Sequence, residues 1–270
     1  MLKNITLGQY FPGNTVVHRL DPRTKLTLTF VYIIALFMCS NAVSYALMLI
    51  VLILCVSASR IKPRLLLRGL KPLIIIIAIT AFLNIFYTRD GTVVLQIWRF
   101  TITREGIYNA AAMLLRISML VSGTFLMTYT TSAIALTDGL EAIMNPLKKI
   151  KIPVHELSMM MSIALRFIPT LIEETDKIMS AQKARGANFE SGNILKRAKA
   201  MLPLLIPLFI SAFRRADELA VAMESRCYNG GEGRTKMKQL RYESTDIVAY
   251  ALGVLVLAAT VALRFVEIPL

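Results

Sequence analysis

The chain has 270 residues, 56% of them hydrophobic, with a mean hydropathy of +0.59 and a formal charge of +14. The apolar share exceeds the soluble norm and comes in long blocks, which excludes an ordinary water-soluble domain. A charge this positive in a soluble protein would point to nucleic acid. Here the lysines and arginines stand between apolar runs without aromatic interleaving, which is the pattern of a membrane protein obeying the positive-inside rule.

In chain order, residues 1–25 form a polar N-terminal arm, and with no apolar run before Leu26 a cleavable signal peptide is not expected. Asp21 is placed to cap a helix with Pro22 in its first turn, and Arg23 and Lys25 are expected to snorkel to headgroups from the base of the first span. Apolar runs follow at Leu26–Cys39, Val43–Ser57, Pro72–Tyr87, Met113–Thr130 and Ile247–Phe265. Several are shorter than the ~20 residues of a perpendicular span, so either their helices extend into the flanks or the bilayer thins around them. The short Ser40-Asn41 link predicts a tight helical hairpin, with a single bent re-entrant segment as the alternative. The Arg89–Tyr108 link carries Val93-Val94-Leu95-Gln96-Ile97-Trp98, which reads equally as a hairpin or as a surface helix with Trp98 at the interface. Arg116, in the fourth run, is expected to snorkel.

Charge placement sets the topology. Residues 1–25, 60–71 and 138–243 together hold 26 of the 31 Lys and Arg residues. Five spans with the N-terminus in the cytoplasm put all of these on one side, and the C-terminus is then extracellular. The resulting plan is a four-span region at 26–131, a cytoplasmic coupling region at 132–243 and a C-terminal transmembrane helix at 244–270. The fold class is an all-α polytopic membrane protein with about five transmembrane helices and an interfacial arm of long helices.

Within the arm, Ile152–Ile172 is apolar but carries His155, Glu156 and Arg166, and Met201–Phe213 is too short to span. Such helices lie along a membrane surface or wedge beneath the spans. Pro146, Pro153, Pro169, Pro203 and Pro207 are expected to joint the arm into straight pieces. Lys148, Lys149, Lys151, Lys196, Arg197 and Lys199 are expected to meet lipid headgroups. Met159, Met160 and Met161 form a cluster suited to repacking against an apolar partner, although methionine is also ordinary membrane-core filler.

Motifs for catalysis are missing. There is no phosphate-binding loop; Gly230-Gly-Glu-Gly233-Arg-Thr-Lys236 has the wrong spacing. His155-Glu156 has no second histidine four residues on, and Asp138-Gly139 lacks the repeated acids of a metal-dependent phosphotransferase. Cys39, Cys55 and Cys227 are too scattered for a disulfide framework or metal cluster. No catalytic residue, metal site or cofactor is therefore assigned to this chain.

The arm does contain two echoing segments. Asp176-Lys-Ile178-Met-Ser-Ala181-Gln-Lys-Ala184-Arg185-Gly186 matches Asp217-Glu-Leu219-Ala-Val-Ala222-Met-Glu-Ser225-Arg226-Cys227. Counted back from each arginine, Asp stands at minus nine, a large apolar residue at minus seven and Ala at minus four. Gly186 is expected to stop the first helix, and Asn229-Gly230-Gly231 the second a turn later. A lone arginine at a helix end is adequately explained by the helix dipole. Two at matched spacing point to a paired docking device, with Ala184, Arg185, Gly186, Ser225, Arg226 and Cys227 as its residues. A guanidinium on a helix end can make bidentate contacts with a carboxylate, and small neighbours permit close approach.

The Leu20-Asp-Pro-Arg-Thr-Lys25-Leu26 element, the two arginine tripeptides and the membrane layout together resemble the transmembrane T component of energy-coupling-factor transporters. Ser225-Arg226-Cys227 departs from the more usual Ala-Arg-Gly form. The resemblance implies a bacterial or archaeal membrane protein that joins two ABC-type ATPases to a small substrate-capture membrane subunit. It also implies that the two arginine motifs end coupling helices seated in ATPase grooves, that ATP is bound by those partners, and that the vitamin or other micronutrient is chosen by the capture subunit. The alternative is the pore-lining permease of a conventional ABC importer, which docks with one cytoplasmic loop. A lipid-modifying enzyme is disfavoured by the lack of metal ligands.

Overall fold

The computed structural model describes residues 10–87, 93–97, 100–187, 189, 193–231, 237 and 239–265. In chain order the helices are α1 (Val16–Arg19), α2 (Pro22–Met38), α3 (Ala42–Ser59), α4 (Pro63–Leu70) and α5 (Ile74–Tyr87). A strand pair β1 (Val93–Ile97) and β2 (Phe100–Thr103) follows, then α6 (Arg104–Thr130), α7 (Ala133–Met144), α8 (Val154–Ala184), α9 (Ile194–Glu224) and α10 (Ser244–Phe265). The chain divides into two compact units, one drawn from residues 143–239 and the other from 8–142 with 240–270.

The second unit is the membrane body. Ala42–Ser59, Pro63–Phe86, Arg104–Thr130 and Ser244–Phe265 are long and apolar enough to cross a bilayer. α2 has 17 residues, the lower end of the ~17–25 that span. It packs on α6 and α10. The short apolar runs do extend into their flanks: Met113–Thr130 becomes the 27-residue α6, and Pro72–Tyr87 gains α4 through a 3-10 turn at Lys71–Leu73. Large apolar side chains face outward, including Phe37, Ile53, Ile75 and Phe82. In water that surface would drive aggregation; against lipid it costs nothing. The fold is thus an all-α polytopic membrane architecture carrying one small hairpin.

That hairpin decides the 89–108 link. β1 and β2 are antiparallel, with Leu95 opposite Ile102, Gln96 opposite Thr101 and Ile97 opposite Phe100, and the register shifts between Val93 and Leu95. Of the two readings, the extended one holds, and Trp98 lies outside the described residues.

α6 is the hub and touches α2, α3, α4 and α5. One apolar cluster joins Ala35, Leu36 and Cys39 of the α2 end to Tyr45 and Met48 of α3 and Met119 of α6. A second joins Ile61 and Leu66 to Leu126 and Tyr129. The α2–α3 link joins two separate helices, and α3 by itself is long and apolar enough to cross a bilayer, so the segment is not one bent re-entrant piece. Asn41 and Ser44 form a capping box at the start of α3, and the Asn41 amide donates to Leu263 O of α10 at 3.0 Å. Arg116 reaches toward the α2–α3 link. Its Nη2 donates to Cys39 O at 3.0 Å and to the Tyr45 hydroxyl, so the guanidinium satisfies the end of α2.

The other end of the bundle is tied by charge. Asp21 caps α2 by accepting from Arg23 N at 2.9 Å, and the Arg23 guanidinium grips the same carboxylate at 3.0 and 2.8 Å. That guanidinium also sits 4.0 Å from the centroid of the Tyr242 ring. Lys25 is buried, and its Nζ donates to His18 O at 3.0 Å and Thr130 O at 2.9 Å, gathering the ends of α1 and α6. Asp246, 1% exposed, accepts from Asp21 N and from Glu243 N, both at 2.9 Å. Arg23 and Lys25 are therefore structural cations, not snorkels. Their carboxylate and carbonyl partners lie close enough to outweigh the pull of headgroup water.

Burial pushes the Asp21 carboxyl up, but the Arg23 side chain and amide outweigh it and hold the group below its ordinary value. With the folded value depressed, Asp21 contributes stability above its ordinary pKa and loses it as pH falls through the lowered one. Asp246→Ala leaves two backbone donors without acceptors at ~1–3 kcal/mol each. Thermal unfolding in detergent should show a clear drop in midpoint for this variant. An unchanged midpoint would remove the junction from the account of stability.

Candidate functional site

The unit drawn from residues 143–239 is built on two helices of 31 residues each, α8 and α9, about 46 Å long at 1.5 Å per residue. A 3-10 turn at Asn145–Ile150 ends at Lys151 with φ 62, and Pro153 caps the start of α8. These two features are the joints expected at Pro146 and Pro153. Pro169, Pro203 and Pro207 lie inside helices that run on past them. Each removes one ladder bond at its place in the helix.

α9 exposes a continuous apolar face. Leu202, Leu205, Ile206, Phe209, Ile210 and Phe213 are all more than half exposed and recur at three- and four-residue spacing. The face falls within the apolar Met201–Phe213 run, which the sequence places along a membrane surface or beneath the spans. The side chains of Lys196 and Arg197 lie outside the described residues.

The helices meet through an ion pair. Arg215 Nη2 of α9 donates to Glu174 Oε2 of α8 at 3.1 Å. The Ser211 hydroxyl, joined by Arg215 and Lys177, outweighs the opposing effect of burial and holds the Glu174 carboxyl below its ordinary value. Both partners are partly exposed, so the pair is worth at most ~1 kcal/mol. Its position carries more information than its energy. Glu174 stands eleven residues before Arg185, and Arg215 eleven before Arg226. The crossing therefore joins equivalent positions of the two echoes and leaves each arginine about 16 Å along its own axis from the contact. Extending the echo two residues back from Asp176 and Asp217 would have found it.

The two tips have the same backbone. At the first, Ala187 N donates to Gln182 O at 3.0 Å and Gly186 N to Lys183 O at 3.0 Å. At the second, Tyr228 N donates to Met223 O at 3.0 Å and Cys227 N to Glu224 O at 2.8 Å. These are two copies of one Schellman cap, with Gly186 (φ 88) and Cys227 (φ 57) as the left-handed residue. Gly186 ends its helix as expected. Asn229-Gly230-Gly231 does not end the second, because Cys227 has already turned the chain. That segment has another role: a Cβ on Gly231 would fall 2.3 Å from the His155 ring, so glycine lets the chain pass over the start of α8.

Ala184, Arg185, Gly186, Ser225, Arg226 and Cys227 are all exposed. Each arginine thus projects from a helix end, where the caps have taken up carbonyls that a cation would otherwise serve. Such a guanidinium remains available for a partner's carboxylate. The methionines are not beside the first tip. Met159–Met161 lie near the start of α8, about 36 Å along its axis from Arg185. Met160 and Met161 are 54% and 47% exposed, while Met159 is half-buried. Among the described residues no group of three or more His, Cys, Asp or Glu is placed to hold a metal.

The CbiQ family, described as cobalt transport protein, matches residues 13–237. The chain is 52% identical over 265 residues to the energy-coupling factor transporter transmembrane protein EcfT of Thermosediminibacter oceani, covering 98% of this chain and 100% of that one. Identity to the protein of that name is 53% over 268 residues in Acidaminococcus fermentans, covering 99% and 98%. In Bacillus subtilis it is 49% over 259 residues, covering 96% and 97%.

The matched caps predict substitutions of opposite sign. Cys227→Gly should relieve a left-handed side chain and stabilise the end of α9 by up to ~1 kcal/mol, whereas Gly186→Ala should destabilise the end of α8 by a similar amount. Hydrogen exchange of the last turn of each helix reads both. Shifts of the same sign would contradict the assignment.

Proposed function

The chain belongs to the CbiQ family of transport proteins, and on that footing we propose that it is the transmembrane coupling subunit of an energy-coupling-factor importer. It joins two ABC-type ATPases to a substrate-capture membrane subunit and transmits their motion for uptake of a vitamin or other micronutrient. The observation that carries the reading is the pair of identically capped arginine tips at equal distance from an ion-paired crossing. A dimeric motor presents two equivalent grooves, and two equivalent tips fit them. Closure of the ATP-loaded pair draws the tips together, and rigid helices carry the displacement past the Glu174–Arg215 contact.

In this arrangement Arg185 and Arg226 supply the charge, Ala184 and Ser225 keep the approach close, and Gly186 and Cys227 turn the chain away. ATP is bound on the partners, and this chain needs no catalytic group or cofactor of its own. Its setting is the bacterial cell membrane, with the N-terminus in the cytoplasm, the C-terminus outside and the arginine tips on the ATPase side. The distribution of the 31 Lys and Arg residues supports that orientation. The exposed Met160 and Met161, with Met159 beside them, are assigned to the capture subunit.

Arg185→Glu combined with Arg226→Glu should lower copurifying ATPase more than tenfold, a loss above ~1.4 kcal/mol, and leave membrane insertion intact. Normal ATPase recovery would refute the docking role. Met160→Ser with Met161→Ser should release the capture subunit and keep the ATPases; the reverse pattern would overturn that assignment. One copy of this chain per ATPase pair is expected. Two copies would favour the pore-lining permease instead.

A further inference from the structure

A cavity of about 830 Å³ opens beside the C-terminal end of α3, within the range of ~300–1,000 Å³ typical of ligand sites. One wall is residues 11–16 with His18; the other is residues 58–62 with Leu65. Both His18 ring nitrogens are engaged inside the wall, Nδ1 with Thr15 Oγ1 at 2.7 Å and Nε2 with Phe11 O at 3.1 Å. Phe11, Val16, Ile61 and Leu65 make the lining apolar. Among the described residues its ionisable side chains are His18, Arg60 and Lys62, with no acid in the lining.

Arg60 is placed unusually. It ends α3 with φ 56, a left-handed position that glycine or asparagine ordinarily fills. The helix dipole alone does not account for it, because a cation in the preceding turn would serve without backbone strain. Arg60 and Lys62 are exposed, and among the described residues neither is engaged in an ion pair. Arg64, Arg68 and Lys71 follow with no acid between them. The surroundings are those of lipid: Ile50, Ile53 and Leu54 of α3 and Leu67 of α4 all face outward.

We propose that this cavity holds the phosphate headgroup of an anionic phospholipid, with Arg60 and Lys62 as phosphate ligands and the acyl chains along the exposed face of α3. The combination selects lipid over a free anion. A soluble phosphate would gain from the two cations but nothing from the apolar lining, whereas a phospholipid uses both. The guanidinium suits a bidentate grip on the phosphodiester, and Lys62 adds a second point charge. The site is independent of which way the chain faces and of what docks on α8 and α9.

The test is native mass spectrometry of the full chain in mild detergent, titrated with phosphatidylglycerol and with phosphatidylcholine of the same acyl chains. Phosphatidylglycerol should bind at least ~10-fold more tightly, and Arg60→Gly with Lys62→Gln should bring the two lipids within about twofold. Arg60→Gly keeps the left-handed cap, so this variant is expected to fold. Arg64→Gln with Arg68→Gln removes equal charge outside the cavity and should leave the preference intact. Excess inorganic phosphate should not compete. Lys62→Gln alone should lower the preference about threefold, which provides a reading if the double variant does not purify. Equal binding of the two lipids overturns the proposal, as does a preference that survives loss of Arg60 and Lys62. So does a preference that follows Arg64 and Arg68, or competition by phosphate, which would mark a soluble-anion site.

Discussion

Buried charge must find its partner inside the protein, and the junction around Lys25 and Asp246 is where this chain meets that requirement. Lys25 binds carbonyls at the ends of α1 and α6, and Asp246 binds amides at the starts of α2 and α10. Four chain segments, some more than 200 residues apart in sequence, are held at one place. With those ends fixed, α6 lies against α2, and the apolar cluster of Leu36, Met48 and Met119 can close. Arg116 does the same at the opposite end of α2. Polar anchors at both ends and small apolar clusters between them are what remains when the outer face of a bundle is lipid and burial from water no longer distinguishes inside from outside.

The arginine helices follow a different logic, one of repetition. Two helices end in the same Schellman cap, carry arginine at the same offset and touch at the same offset again. A modest, partly exposed ion pair is enough to set the crossing point, since its role is positional. Because the caps satisfy the last carbonyls, the guanidinium groups are not consumed by their own helices. This separates a projecting arginine from one that merely complements a helix dipole. The small residue after each arginine has a conformational role as well as a steric one, and Cys227 performs it at greater backbone cost than Gly186.

Membership in a transport family and the geometry of the tips support one reading of the protein as a mechanical coupler. α8 and α9 each run as one long helix through their prolines. The apolar face of α9 adds an unfilled surface to the same unit. Long helices with exposed surfaces are what the proposed coupling role would need.

Much of this was legible in the sequence. Blocks of apolar residues separated by cations gave the membrane fold, because hydrophobic length and charge bias are local properties that lipid reads directly. The echoing segments gave both arginine tips, since helical periodicity maps sequence offsets onto faces. Three things required the tertiary structure. The roles of Lys25 and Arg116 depend on partners 105 and 77 residues away, and Arg23 also sits against the still more distant Tyr242, none of which a local pattern records. The Glu174–Arg215 crossing depends on how two helices lie against each other. Whether Pro203 and Pro207 break a helix or ride within one depends on neighbouring turns and packing. Sequence fixes what each segment can do alone; partner choice for buried charges and helix crossings is settled only when distant segments compete for the same donors and acceptors.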